Sequence, residues 1–204
     1  MKNSNTCPFG EKFQKYWDKR YQLFSKFDEG IQVDEQALFS ITPEQHAIDH
    51  AKRLKGKIVL DALGCVGGNA IAFAQYCKKV YMIELDENRI KMAENNARVY
   101  GVSNKIEFIH GDYFDEAPKI EADVVYLDPP WGGPDYIGLK KFKLDNFSPN
   151  GHDILELAFK HFPQVVMRIP RNFDPKELKQ LKHEFEEIDD YSGEKLVTKT
   201  VYFK

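Results

Sequence analysis

The run Asp128-Pro129-Pro130-Trp131-Gly132-Gly133-Pro134-Asp135-Tyr136 sets a carboxylate beside two prolines and two aromatic rings. Residues 122–127 before it are apolar apart from Asp123, with β-branched Val124 and Val125, so the carboxylate stands at a strand end. Pro129 and Pro130 fix φ near about −65° and carry no N–H, which sends the chain out of the sheet on a stiff, non-helical path. That path offers the Asp128 carboxylate and unpaired main-chain carbonyls to a planar group, with the Trp131 ring stacked over it. An exocyclic amine on a nucleobase meets such a set, because it has N–H donors for the acceptors and a π face for the indole. Taken alone, the four residues fit equally a proline-rich turn whose Asp caps a neighbour and whose Trp covers the core.

The elements that would position this run are short strands alternating with helices. Residues 57–62, 80–84, 106–109 and 124–127 read as strands, and 69–76 and 87–100 as helices. The second helix is capped by Asp86 and ended by Gly101. Such alternation predicts an α/β fold with a mainly parallel sheet and helices on both faces. Four strands in succession meet an acid at or just past their carboxyl ends: Asp61, Glu84, Asp112 and Asp128. Ligands bind at those ends in open α/β sheets. Any one of the four reads equally as a helix cap, whereas the series points to one crevice.

Asp61 runs into a turn holding Gly64, Gly67 and Gly68 and then Asn69, where glycines let the backbone approach a ligand at a helix N-terminus. The spacing is not G-x-G-x-x-G, and a carboxylate before the turn repels a pyrophosphate but suits an amine-bearing ligand. S-adenosylmethionine is therefore expected rather than a nicotinamide dinucleotide. Glu84 is placed to hold both ribose hydroxyls, and Asp112, followed by Tyr113, to accept from the adenine amine.

Composition narrows the class. With 42% hydrophobic and 30% charged residues in 204, the chain has the make-up of one globular unit with a sizeable core. Its net charge of −3 excludes a surface that is basic throughout, so duplex DNA is not an expected partner and nucleic-acid contact must be local. Cys7, Cys65 and Cys77 lack metal-ligand spacing, which predicts neither zinc nor a disulfide framework. No apolar run approaches a membrane span and residues 1–5 lack a signal peptide's centre, so an intracellular protein without a membrane partner is expected.

Upstream, rings at spacings of three and four predict one amphipathic helix over 8–27, with lysines on its polar face and Gly30 as its end. Thr42-Pro43-Glu44-Gln45 predicts a helix start, with Thr42 as N-cap and Gln45 closing a capping box. Downstream, 139–151 reads as a loop with Lys140, Lys141 and Lys143 beside Phe142 and Phe147. A helix is expected over 152–161, a strand around 165–169, a helix over 178–185 and a strand over 195–203.

Beyond these readings, Lys15-Tyr16-Trp17, the motif from Arg20 to Gly30, Phe39-Ser40-Ile41-Thr42-Pro43-Glu44, Gly67-Gly68-Asn69 and the run from Asp128 to Tyr136 resemble the trimethylguanosine synthase family. These enzymes hypermethylate the 7-methylguanosine cap of small nuclear and nucleolar RNAs. The resemblance spans about residues 11–172 and is weaker beyond. It implies a class I S-adenosylmethionine-dependent methyltransferase fold (Rossmann-like) over 57–204, with a helical extension over 1–56 closing on the site. It also implies methyl transfer to guanine N2 of capped RNA, with S-adenosylhomocysteine as product and no metal.

Carried over position by position, Trp131 stacks 7-methylguanine, with Tyr136 alongside. Phe24, Thr42, Asp61, Gly64, Gly67, Asn69, Glu84, Asp112 and Tyr113 surround the methyl donor. Lys15, Arg171 and Asn172 face the cap, the two cations meeting its phosphates. Asp128 and the Pro129 carbonyl hold the amine; family members differ at Asp128, which is therefore expected to assist. A nuclear location, with cytoplasmic presence alongside, and a monomer complete the expectation. Two other readings compete: a methyltransferase for an amino group of an internal RNA or DNA base, and a cap-binding module without catalysis. The first leaves the extended Trp131–Tyr136 run and the Thr42 motif unexplained, and the second the full acid series.

Overall fold

The computed structural model describes residues 6–133, 136 and 138–204. Pro134 and Asp135 of the proline-rich run, residue 137 and residues 1–5 lie outside the described residues.

The N-terminal stretch corrects the single helix expected over 8–27. It folds as a 3₁₀ turn at Glu11–Phe13, α1 (Gln14–Trp17), α2 (Arg20–Leu23) and a second 3₁₀ turn at Phe27–Glu29. Neither short helix starts on a side-chain cap, and the rings at helical spacing choose different partners. Trp17 packs edge-on against Phe27 at 5.3 Å between centroids, while Phe13 and Tyr16 pack on Phe39. Buried Arg20 folds into the break, with its Nη1 donating to the Trp17 carbonyl at 3.0 Å. Tertiary contacts thus override the periodicity.

After α3 (Ala37–Ser40) comes α4 (Glu44–Arg53). The expected Thr42 cap and its capping box are not made. Pro43 occupies the cap position without a side-chain bond, and Gln45 donates to Asp49 at 3.0 Å. Glu44 accepts from the Ser25 amide and hydroxyl instead, pinning α2 to α4.

The remaining chain runs β1 (Ile58–Asp61), α5 (Gly68–Tyr76), β2 (Lys79–Glu84), α6 (Glu87–Val99), β3 (Ile106–His110), α7 (Tyr113–Glu116) and β4 (Val124–Leu127). It continues through α8 (Gly151–His161), β5 (Gln164–Pro170), α9 (Pro175–Gln180), β6 (Phe185–Ser192) and β7 (Lys195–Phe203). The strands form one sheet in the order β3-β2-β1-β4-β5-β7-β6. The first five are parallel, and β7 runs antiparallel to both neighbours. Period-two alternation divides the core. Val59, Val124 and Tyr126 pack with α4, α5 and α6, whereas Leu60, Val125 and Leu127 pack with α7, α8 and α9. Strands covered on both faces read as apolar runs, which is why their positions were foreseeable.

Two C-terminal elements differ from expectation, a helix and the strand β6, which the sequence does not predict. The helix expected over 178–185 ends at Gln180, Lys182 turns at φ +57°, and Phe185 opens β6 opposite Phe203. The loop over 139–151 is anchored by buried Phe142 and Phe147, whose rings meet edge-on at 4.8 Å.

Candidate active site

At the carboxyl ends of β1, β2, β3 and β4 lies a cavity of about 690 Å³, partly walled by the N-terminal segment through Tyr16, Gln36, Phe39, Ile41 and Thr42. On its donor side the glycine turn is shaped by crowding. A Cβ on Gly64 would run into the Met82 side chain, and Gly67 combines φ +89° with the Ala93 methyl 3.1 Å from where its own Cβ would sit. Gly67 therefore faces α6 rather than the cavity lining.

Asp61 lies fully buried beneath this turn, and neither of its oxygens finds a hydrogen-bond partner. Burial, and after it the negative charge of Asp128, push its carboxyl up to about 8; a weak interaction with the Ala70 N–H offsets only part of this. Asn69, on the cavity wall, has an orphaned Oδ1 as well. Two buried acceptors without donors fit the ammonium of an amino acid-like ligand such as S-adenosylmethionine.

Glu84 stands at the end of β2 and lines the cavity. It accepts from the Cys65 N–H (2.8 Å) and the Asp86 N–H (2.9 Å), bracing the turn from below. Beside it Leu85 is 66% exposed, an apolar side chain available to a planar ring. Asp112 lines the cavity and caps α7 by accepting from Phe114 N–H at 2.7 Å. Tyr113 also lines it, although its hydroxyl is committed to the Ile154 carbonyl at 3.0 Å. The Cys65 thiol is pushed up to about 12, first by burial, so it stays a neutral wall rather than a nucleophile.

On the opposite side, Asp128 is held by three donors. Thr42 Oγ1 reaches it at 2.9 Å, Asn69 Nδ2 at 3.2 Å and Arg168 Nη1 at 3.1 Å. Thr42 therefore spends its hydroxyl on the carboxylate rather than on a helix start. Trp131 and Tyr136 line the cavity with their rings edge-to-face at 5.1 Å, and Pro129 and Pro130 lie between Asp128 and Trp131.

Besides Asp61 and Gly67, four residues expected at the site lie off the lining. Phe24 is buried against Tyr100. Lys15 is exposed, its ammonium 4.8 Å from the centroid of the Tyr16 ring on the cavity wall. Arg171 is exposed and close enough to Tyr136 to influence it electrostatically. Asn172 donates to the carbonyls of Tyr136 (3.2 Å) and Leu139 (2.8 Å), so it ties the loop down.

Sequence reasoning missed Arg168 and Leu85. Arg168 lies in the apolar run of β5, where a lone buried cation is itself a signal. Leu85 follows an acidic strand end, where an apolar residue before the helix cap would otherwise be idle.

The N-terminal segment is joined to the glycine turn through α6. Buried Asn96 exchanges hydrogen bonds with Gln32 (2.8 Å each way) and donates to the Val66 carbonyl at 3.0 Å. Arg89 binds Asp34 at 2.7 Å and Gln36 at 2.9 Å.

Trimethylguanosine synthase of Schizosaccharomyces pombe is 40% identical over 190 residues, covering 87% of this chain and 79% of that protein. The Saccharomyces cerevisiae trimethylguanosine synthase is 34% identical over 180 residues, covering 82% of this chain but 57% of the yeast protein. Among solved structures, a putative methyltransferase from Porphyromonas gingivalis W83 superposes with a TM-score of 0.71 at 13% identity, covering 97% of this chain and 52% of that one. An RNA methyltransferase from Salinibacter ruber, solved with S-adenosyl-L-homocysteine, gives 0.54 at 24% identity, covering 79% and 90%. The fold is that of the class I S-adenosylmethionine-dependent methyltransferases. Residues 56–194, more than half of the chain, match the family of RNA cap guanine-N2 methyltransferases, and the chain belongs to that family.

Proposed function

We propose that the protein methylates the exocyclic N2 of a 7-methylguanosine RNA cap. The observation that carries this reading is the carboxylate, double proline and indole on one wall of the cavity, facing a glycine turn above an unpartnered acid. S-adenosylmethionine would supply a methyl group activated by its sulfonium and leave as S-adenosylhomocysteine. Asp61 and Asn69 would receive its ammonium, Glu84 its ribose hydroxyls, and Leu85 and Asp112 its adenine.

Trp131 takes the 7-methylated base. A cationic ring over an indole gains about 0.5–2 kcal/mol beyond stacking, which unmethylated guanine lacks. Asp128 and the Pro129 carbonyl accept the N2 hydrogens and so fix the amine for attack, and the Asp128 carboxylate takes the proton released as the N–C bond forms. Lys15 and Arg171, exposed beside the cavity wall, meet the cap phosphates, and Asn172 keeps the loop carrying Tyr136 in place. Residues 1–56 act as a roof that folds over both ligands, while 57–204 form the transferase unit. We extend the same reading to action as a monomer in the nucleus on small nuclear and nucleolar RNAs. Among the described residues no helix is long and apolar enough to cross a membrane.

The test is methyl transfer to 7-methyl-GTP with GTP in parallel and products resolved by mass. One or two added methyls on the 7-methylated substrate alone, lost in Trp131→Ala, is the expected result. Equal activity on GTP would remove the charge-based recognition. Transfer to uncapped RNA alone would shift the assignment to an internal base.

A further inference from the structure

A buried arginine beside a pocket for a cationic base is, at first sight, in the wrong place. Arg168 is 4% exposed, and its guanidinium carbon lies 5.0 Å from the centroid of the Trp131 ring. An indole face that already carries a cation is a poorer receptor for a second one. The guanidinium is not alone, however. Its Nη1 lies 3.1 and 3.3 Å from the two Asp128 oxygens, and both side chains are almost entirely shielded from water.

We propose that Asp128 and Arg168 form a charge-cancelling pair that sets the selectivity of the Trp131 pocket for a cationic over a neutral guanine ring. This rests on the cap reading above and deepens it. A base stacked about 3.5 Å from the far face of Trp131 would hold its positive charge roughly 8 Å from the guanidinium. Uncancelled, at the effective dielectric of protein sites, that proximity would weaken binding of the cation roughly 10- to 30-fold and leave neutral guanine unaffected. With Asp128 in place the pair contributes almost no net charge, and the indole responds to the charge of the base alone. Asp128 thereby gains a role distinct from holding the amine. That role acts through Trp131 and makes Arg168 a specificity-determining residue.

The opposite signs of two single substitutions test this. Calorimetry on the full chain saturated with S-adenosylhomocysteine would give the affinities for 7-methyl-GTP and GTP, and hence their ratio. Asp128→Asn leaves the cation uncancelled, and the ratio is expected to fall about 10-fold or more. Arg168→Met leaves the carboxylate, so the ratio is expected to hold or rise. The double variant removes both charges and should return to within about 3-fold of the native ratio. Because a ratio of two ligands on one variant is read, general loosening of the site cancels. S-adenosylhomocysteine binding and a cooperative melt identify the folded variants, and the Arg168→Met arm stands even where Asp128→Asn does not fold. A ratio that falls in both single variants, or stays constant while both affinities drop, overturns the proposal. A native protein that does not distinguish the two nucleotides defeats the cap reading itself.

Discussion

Replacing Asp61 by Asn separates what this position does for the ligand from what it does to the fold. The carboxyl is fully buried and raised from an ordinary 3.8 to about 8, first by burial and then by the charge of Asp128. An acid raised by folding stabilises the native state only in acid. The contribution is complete below pH 3.8 and is lost as pH climbs to about 8. Between these values the unfolded chain gives up the proton that the folded chain keeps, at about 1.36 kcal/mol per pH unit. The disadvantage reaches about 4 kcal/mol at pH 7. Asn keeps the shape and abolishes the titration, but its carboxamide brings two N–H donors into a site that offers few acceptors, at about 1–3 kcal/mol. The net is a gain of about 2 kcal/mol at pH 7, which raises the melting temperature by roughly 4–8 °C.

The assay is thermal melting of both proteins from pH 4 to 8, with and without S-adenosylhomocysteine. The gap should vanish at about pH 5, reverse towards pH 4 and widen towards pH 8, and ligand should raise only the native protein's transition. Binding of the ammonium next to Asp61 should also expel a proton near pH 7, seen as a binding heat that depends on the buffer. An Asp61→Asn variant that melts no higher than the native protein at pH 8, or a gap independent of pH, would refute the reasoning.

Gly67→Ala should lose about 1–2 kcal/mol of stability and most affinity for S-adenosylhomocysteine, since it puts a Cβ at φ +89° and 3.1 Å from Ala93; melting and calorimetry decide. Arg89→Gln removes the cation that binds Asp34 at 2.7 Å, a largely shielded pair. Limited proteolysis within residues 30–41 should accelerate several-fold while the main transition drops by only about 1 kcal/mol. Burial raises the Asp190 carboxyl, but the hydrogen bond and charge of His50, with Thr198, outweigh it and hold the group below 3.8. Its stabilisation is therefore present above pH 3.8 and is lost as pH falls through the depressed value. The Thr198→Val, Thr200→Val double variant should move the acid-unfolding midpoint upward, followed by circular dichroism.

The central strands and the acids at their ends were legible because burial on both faces leaves an apolar run and the ligand crevice leaves a carboxylate at each end. β6 was not, because its run of Glu186, Glu187, Asp189 and Asp190 has the composition of a solvated turn. The fold resolves this by turning Asp190 inward to His50, Thr198 and Thr200, partners eight to 140 residues away. The N-terminal helix failed for a related reason. Phe13, Tyr16 and Trp17 keep a helical spacing, but Phe13 and Tyr16 pack on Phe39 while Trp17 packs on Phe27, so the period described side chains that do not all share one face. Thr42 was read from its neighbours as a cap, while its partner, Asp128, lies 86 residues on.

Asn96 has a thermodynamic consequence. One carboxamide holds the main chain of the roof at Gln32 and the main chain of the donor turn at Val66. On the proposed reading, in which residues 1–56 close over both ligands, a ligand that immobilises the turn lowers the entropy still to be lost when that segment orders over the second, without any change of average structure. Such coupling is reciprocal: the factor by which 7-methyl-GTP tightens S-adenosylhomocysteine must equal the factor measured the other way round. Asn96→Ala should bring both factors towards one, leaving two sites in the same protein that no longer register each other's occupancy.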